Sequence, residues 1–177
     1  HDIASRHGVR VDVRPVDASK LFPVSGGLPV PKRAPQRQAY RMRELDRWRK
    51  HLDIGLILEP QFFPTAEAVP AAMVVAAEQA DEDALALATG FGHALWVDDL
   101  NFAEPDVQRL VAERVGLDAD KLMAAAGAPE IATVLDGYTQ SAIDAQVFGM
   151  PSYLYDGDLL WGQDRLDDLD SHLSGAL

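Results

Sequence analysis

The chain has 177 residues, enough to bury a sizeable core in one domain or in one domain with a large insertion, and nothing in it marks two independent units. Its 28 acidic residues outweigh 16 lysines and arginines, and a formal net charge of -12 excludes a nucleic-acid backbone or an anionic membrane surface as a partner on balance. Cysteine is absent, which excludes disulfides, thiolate metal sites and a Cys-x-x-Cys redox centre within these residues, and the five histidines share no ligand spacing, so no metal site is expected.

Asp2 to Gly8 reads as the tail of a helix closed by a glycine. Val9 to Val16 alternates apolar and polar residues with period two, which predicts a strand with one buried face. Asp17 to Pro35 is a long connection rich in proline and glycine, including Ser25-Gly26-Gly27, and loops of such length are functional or mobile more often than not. Lys32, Arg33 and Arg37 form the one concentrated positive charge of an acidic protein. They are either exposed loop cations or a rim that attracts an anionic ligand.

Pro35 to Lys50 reads as a helix carrying six basic residues: Arg37, Arg41, Arg43, Arg47, Arg49 and Lys50. A short apolar run, Ile54 to Leu58, leads into Glu59-Pro-Gln-Phe-Phe-Pro64, where the two prolines disfavour helix. Helices are then expected over Ala66 to Gln79, Asp81 to Trp96, Val107 to Val115, a short one from Leu117 to near Gly127, and Glu130 to Phe148.

The last stretch organises the rest. Ser152 to Tyr155 is a short aromatic strand entered through Met150-Pro151, Asp156-Gly157 is a two-residue hairpin turn, and Leu159 to Trp161 returns as the partner strand. From Asp164 the spacing turns helical, with Leu166, Leu169 and Leu173 on one face. Gln163, Asp164 and Arg165 at that helix start offer N–H donors, a carboxylate and a guanidinium, which together suit a zwitterion; alternatively Asp164 is simply a helix cap.

Val147-Phe-Gly-Met-Pro151 followed by a hairpin and Trp161-Gly-Gln-Asp-Arg-Leu166 closely resembles the C-terminal signature of the 2-hydroxychromene-2-carboxylate isomerases and kappa-class glutathione transferases. Arg37-x-x-Tyr40 with Glu44-Leu-x-Arg47-Trp48 resembles a second motif of that family. The resemblance implies an α/β, thioredoxin-like fold, with residues 1–35 and 146–177 in the thioredoxin-like domain and residues 36–145 as an all-helical insertion. It implies that Pro151 is cis, that the backbone of Met150 pairs with the cysteinyl part of glutathione, and that Gln163, Asp164 and Arg165 meet its γ-glutamyl end. Arg37 falls where the family has a ligand-binding lysine, keeping the charge but not the point-donor geometry. Gly27 stands where the family has a ligand-contacting asparagine, so only a backbone contact is left there. The first strand, the start of the first helix and the family's catalytic serine are expected N-terminal to His1, and no catalytic residue is assigned within the chain.

The implied activity is a glutathione-dependent isomerisation of a 2-hydroxychromene-2-carboxylate-type intermediate of aromatic catabolism, by a cytoplasmic homodimer acting on a small aromatic carboxylate. Three alternatives stay open. One is a kappa-class glutathione transferase with a similar site. Another is a disulfide oxidoreductase of the same fold with its cysteines in the preceding segment. The third is a non-catalytic binding module with an open sheet edge.

Overall fold

The computed structural model describes residues 2–176. The chain begins with α1 (Asp2–His7), closed by Gly8 at φ 63°, and continues as an extended segment into α2 (Ala18–Ser25). The strand expected over Val9–Val16 is not formed. Among the described residues no strand lies beside it, and its backbone is tied to side chains instead. Val13 N–H donates to Glu78 Oε2 at 3.0 Å, and Asp17 N–H to Thr139 Oγ1 at 3.0 Å. Val13 packs against the main core and Val16 against a smaller one, while Val9 and Val11 stay exposed.

The connection expected to lack structure between Asp17 and Pro35 also differs. Asp17 caps α2 by accepting from Ser19 N–H at 2.8 Å, and Leu21 is fully buried, which is enough to hold two turns of helix despite Pro23 inside it. A 3-10 turn (Val30–Lys32) then precedes α3 (Pro35–His51), which opens with proline in its first turn.

Five helices build the main core: α4 (Ala68–Gln79), α5 (Ala84–Trp96), α6 (Pro105–Arg114), α7 (Ala119–Ala126) and α8 (Pro129–Asp144). α4 packs against α5, α7 and α8, and its buried run from Met73 to Ala77 covers more than one face, as a central helix requires. Met73, Leu87, Val111 and Leu122 fill the space between these helices. Asp83 and Asp118 cap α5 and α7 through Ala86 N–H and Lys121 N–H, and prolines open α6 and α8. α8 stops four residues before the expected Phe148, with Gln146 at φ 59° turning the chain out of the helix. No helix among the described residues is long and apolar enough to cross a membrane.

A smaller cluster positions the C-terminal segment. Leu21 of α2, Ala142 of α8 and Val147 are buried together, with Val16, Ile143, Ala145 and Leu159 packed around them. Beyond it lies the two-stranded antiparallel hairpin of β1 (Ser152–Tyr155) and β2 (Asp158–Trp161), then a 3-10 turn (Gln163–Arg165) and α9 (Leu166–Leu173). The last helix thus starts two residues later than the spacing suggests, because the 3-10 turn occupies its expected first turn. Asp156 and Gly157 both have positive φ, 49° and 83°, the backbone of a tight hairpin turn whose twist matches the strands. α9 is tied back to α1 through His7 Nε2 to Asp170 Oδ1 at 2.6 Å.

Candidate functional site

The segment from Phe148 to Arg165 folds into one rim. The register of the hairpin sets Ser152 opposite Trp161, and Gly162 N–H donates to Pro151 C=O at 2.9 Å, so the ladder continues one step past the strands. That single bond places Met150-Pro151 beside the start of the Gln163–Arg165 turn. The peptide bond before Pro151 is cis, as is the one before Pro64. Met150 and Pro151 are exposed, and among the described residues neither the N–H nor the C=O of Met150 makes a hydrogen bond.

Gly149 and Gly162 explain much of the motif's wording. Trp161 lies over Gly149, where a Cβ would approach the indole Cε2 to 2.9 Å, and the same ring packs against Phe148 at 4.9 Å between centroids, tilted by 60°. Ser152 Oγ donates to Gly149 C=O at 2.7 Å and fixes the approach to the hairpin. Gly162 sits at φ 104°, ψ 151°, a conformation open essentially to glycine alone, and the Asp164 carboxylate folds back over its Cα. Neither requirement is visible from residue type until the ring and the carboxylate are in place.

The 3-10 turn has no side-chain cap on its leading N–H groups, and Asp164 does not serve as one. Arg165 reaches Asp168 at 3.2 Å and Asp164 at 3.7 Å, with both Asp164 and Arg165 about half exposed, at 48% and 52%. A carboxylate, a guanidinium and free N–H donors therefore meet at one exposed corner next to Met150. Their chemistry fits the amine-plus-carboxylate end of an amino-acid-like ligand, with main-chain groups of Met150 left for an extended peptide.

No hydrogen bond or ion pair links Arg37 or Gly27 to residues 150–165 among the described residues. Gly27 follows the left-handed Gly26 at the end of α2 and faces Phe22, whose ring Cγ a Cβ would meet at 2.8 Å, so packing alone accounts for a glycine there. Arg37 lines a shallow open pocket of about 290 Å³ together with Arg33, Gln36, Tyr40 and Arg41. Gln38 ties the approach to α3 by donating to Arg33 C=O at 2.7 Å, and Arg33 itself donates to Leu28 C=O at 2.7 Å.

Arg41 lines the same pocket, although the sequence offered it only as one of six basic residues of the helix. Its guanidinium sits 5.6 Å from the ring centre of Phe63 and 5.7 Å from that of Trp96, two rings that pack at 4.8 Å. Burial lowers the Arg41 pKa from its ordinary value, and the nearby Arg33 charge pushes it the same way. The signal available in the sequence was the spacing of Arg33, Arg37 and Arg41, each four residues apart, which puts Arg37 and Arg41 on one face of α3. The neighbouring aromatics divide their work, with Phe62 packed against the main core and Phe63 against Trp96 and the Arg41 guanidinium.

Comparison with known proteins places the chain among relatives. The sequence model of the DSBA-like thioredoxin domain matches residues 1–174. A 2-hydroxychromene-2-carboxylate isomerase from Sphingobium xenophagum is 28% identical over 173 residues, covering 97% of this chain and 87% of that protein. Among solved structures, that of a selenomethionine 2-hydroxychromene-2-carboxylate isomerase superposes with a TM-score of 0.80 at 20% identity, over 98% of this chain and 84% of the other. That likeness shows the thioredoxin-like fold, here a helix-rich chain with a small sheet.

Proposed function

Because the chain belongs to the family of DSBA-like thioredoxin domains, we propose that it is an isomerase acting, with glutathione, on 2-hydroxychromene-2-carboxylate or a closely related aromatic-derived carboxylate. The observation that carries the reading is the 2.9 Å bond from Gly162 N–H to Pro151 C=O, which sets the unpaired main chain of Met150 beside the Asp164–Arg165 pair. The likeness to the Sphingobium xenophagum isomerase supports the reaction class.

In this reading glutathione, when bound, supplies a thiolate for reversible addition to a conjugated carbon of the substrate. The chain's own residues bind and orient. Met150 offers its N–H and C=O to the cysteinyl backbone, next to Pro151. The leading N–H groups of the Gln163–Arg165 turn and the Arg165 guanidinium face a carboxylate, while Asp164 faces an ammonium group, so the γ-glutamyl end is recognised by both of its charges. Arg37, backed by the Lys32–Arg33 loop, supplies positive charge for a ligand carboxylate. Gly27 retains only its backbone for any contact.

The test is a spectrophotometric assay of the intact protein with 2-hydroxychromene-2-carboxylate, with and without glutathione, run beside conjugation of glutathione to an aryl halide. Isomerisation that requires glutathione and exceeds conjugation supports the proposal. Conjugation without isomerisation would instead make the protein a transferase.

A further inference from the structure

We propose that Arg41 is a specificity-determining residue that reads the carboxylate of an aromatic substrate in the pocket of Arg33, Arg37 and Tyr40. The inference deepens the proposed function, since it rests on the substrate being an aromatic carboxylate, and it assigns that recognition to one residue, Arg41, and to a pocket not lined by Met150, Asp164 or Arg165.

Charge pairing along α3 carries the argument. The helix has no fully buried residue, and its basic side chains split into two groups. Toward the C-terminal end Arg47 pairs with Glu44, Arg49 with Asp46 at 2.8 Å and Lys50 with Asp46 at 2.6 Å. Toward the N-terminal end, Arg37, Arg41 and Arg43 have no acidic partner among the described residues, in a chain with 28 acidic residues to 16 basic ones, and of the three only Arg37 and Arg41 line the pocket. A protein so rich in carboxylates leaves two guanidiniums of one face unneutralised, with Arg33 beside them. A bound anion relieves that mutual repulsion.

Geometry narrows the anion. Arg41 sits over Phe63 and Trp96, a cation–π contact with two rings that uses none of its N–H donors and so leaves them for a ligand. One Arg41 N–H is directed at Met42 Sδ at 3.7 Å, a weak acceptor that uses little of the group's capacity. Partial burial strengthens a hydrogen bond to an ionised partner and makes the unpaired cation costly, both of which favour a carboxylate over a neutral group. Tyr40, exposed in the same pocket, carries the Arg47 guanidinium 5.5 Å from its ring centre, which leaves one ring face for a planar ligand. An aromatic carboxylate satisfies the cations and the ring together.

The competing role is mechanical: Arg41 also tethers an otherwise exposed helix to Phe63 and Trp96. Calorimetric titration with two probes separates the roles, salicylate carrying the carboxylate and salicylamide its neutral counterpart, on the intact protein and its Arg41→Gln and Arg43→Gln variants. Arg43 is exposed on the same helix but does not line the pocket, so its variant removes the same charge elsewhere. The expected result is that wild type prefers salicylate, that Arg41→Gln weakens salicylate by about tenfold or more while leaving salicylamide nearly unchanged, and that Arg43→Gln changes neither. Equal loss of both probes in Arg41→Gln marks a tether and overturns the inference. So does an equal effect of Arg43→Gln, which marks bulk attraction, or a wild type that does not distinguish the probes. Where Arg41→Gln does not fold, Arg41→Lys keeps the charge, loses the planar fork and is expected to weaken salicylate alone by a few-fold. Isomerase assay of the same samples separates the two claims. Salicylate selectivity through Arg41 without isomerisation sinks only the proposed reaction, and glutathione-dependent isomerisation with Arg41→Gln unaffected sinks only the role of Arg41.

Discussion

Replacing Gly162 by alanine tests how the rim is held. At φ 104°, ψ 151° the backbone occupies a region that L-residues avoid, at a cost of about 1 to 3 kcal/mol. The added methyl would also run into the Asp164 carboxylate, but that group is the end of a flexible side chain, 48% exposed, and can swing into solvent. The steric part is therefore small and the backbone part dominates. Asp164→Ala alone should cost at most about 1 kcal/mol of stability, since its ion pair with Arg165 is long and solvated. If the clash is minor, the double variant Gly162→Ala/Asp164→Ala should then lose the sum of the two single effects to within about 0.5 kcal/mol. Urea unfolding of the four proteins closes the cycle, and in heating each kcal/mol should appear as roughly 2 to 4 °C in Tm. If the double variant regains most of what Gly162→Ala loses, the carboxylate and not the backbone imposes the glycine, and the reasoning is wrong.

Other expectations follow from the same contacts. Gly149→Ala should destabilise by about 1 to 3 kcal/mol, because the new methyl displaces Trp161 from its packing against Phe148; a red-shifted tryptophan emission checks the displacement. Leu87→Ala, at a fully buried position between the helices of the main core, should cost about 2 to 5 kcal/mol in denaturant unfolding without altering ligand affinity. Asp17→Ala should cost about 1 kcal/mol by removing the cap of α2. The Ser19 hydroxyl bond lowers the folded-state pKa of Asp17 below its usual value, so this contribution is present above the unfolded pKa and is lost as pH falls through the folded one. The difference between wild type and Asp17→Ala should therefore shrink in acid, as urea unfolding across that range would show.

The helices were legible where a local device and a periodic face agreed. The starts expected at Asp81, Val107, Leu117 and Glu130 lie within a turn of those observed, which are set by Asp83, Pro105, Asp118 and Pro129, because caps and prolines act within a turn. Period two in Val9–Val16 was misleading: alternation reports which side chains face inward, not whether a neighbouring strand exists to accept the ladder. α2 was hidden by Pro23 and its glycine-rich exit, although Asp17 offered the capping signal. At the site, the Asp156-Gly157 turn fixes the hairpin register from two residues, so the meeting of Met150-Pro151 with Gln163–Arg165 could be read in advance. Arg37 and Gly27 could not be placed relative to that corner, since their positions depend on how α2 and α3 pack. Arg41 looked like one more solvated helix cation because its aromatic partners lie 22 and 55 residues further along the chain (63 − 41 and 96 − 41).

The most direct measurement is calorimetric binding of glutathione and of the dipeptide cysteinylglycine, which lacks the γ-glutamyl end, to the intact protein and to its Asp164→Ala and Arg165→Ala variants. Wild type is expected to prefer glutathione by about tenfold or more, and each variant to lose most of that preference while binding the dipeptide as wild type does. Glutathione and the dipeptide binding equally well to wild type, or a preference that survives both substitutions, would contradict a rim built to hold the two ends of the tripeptide.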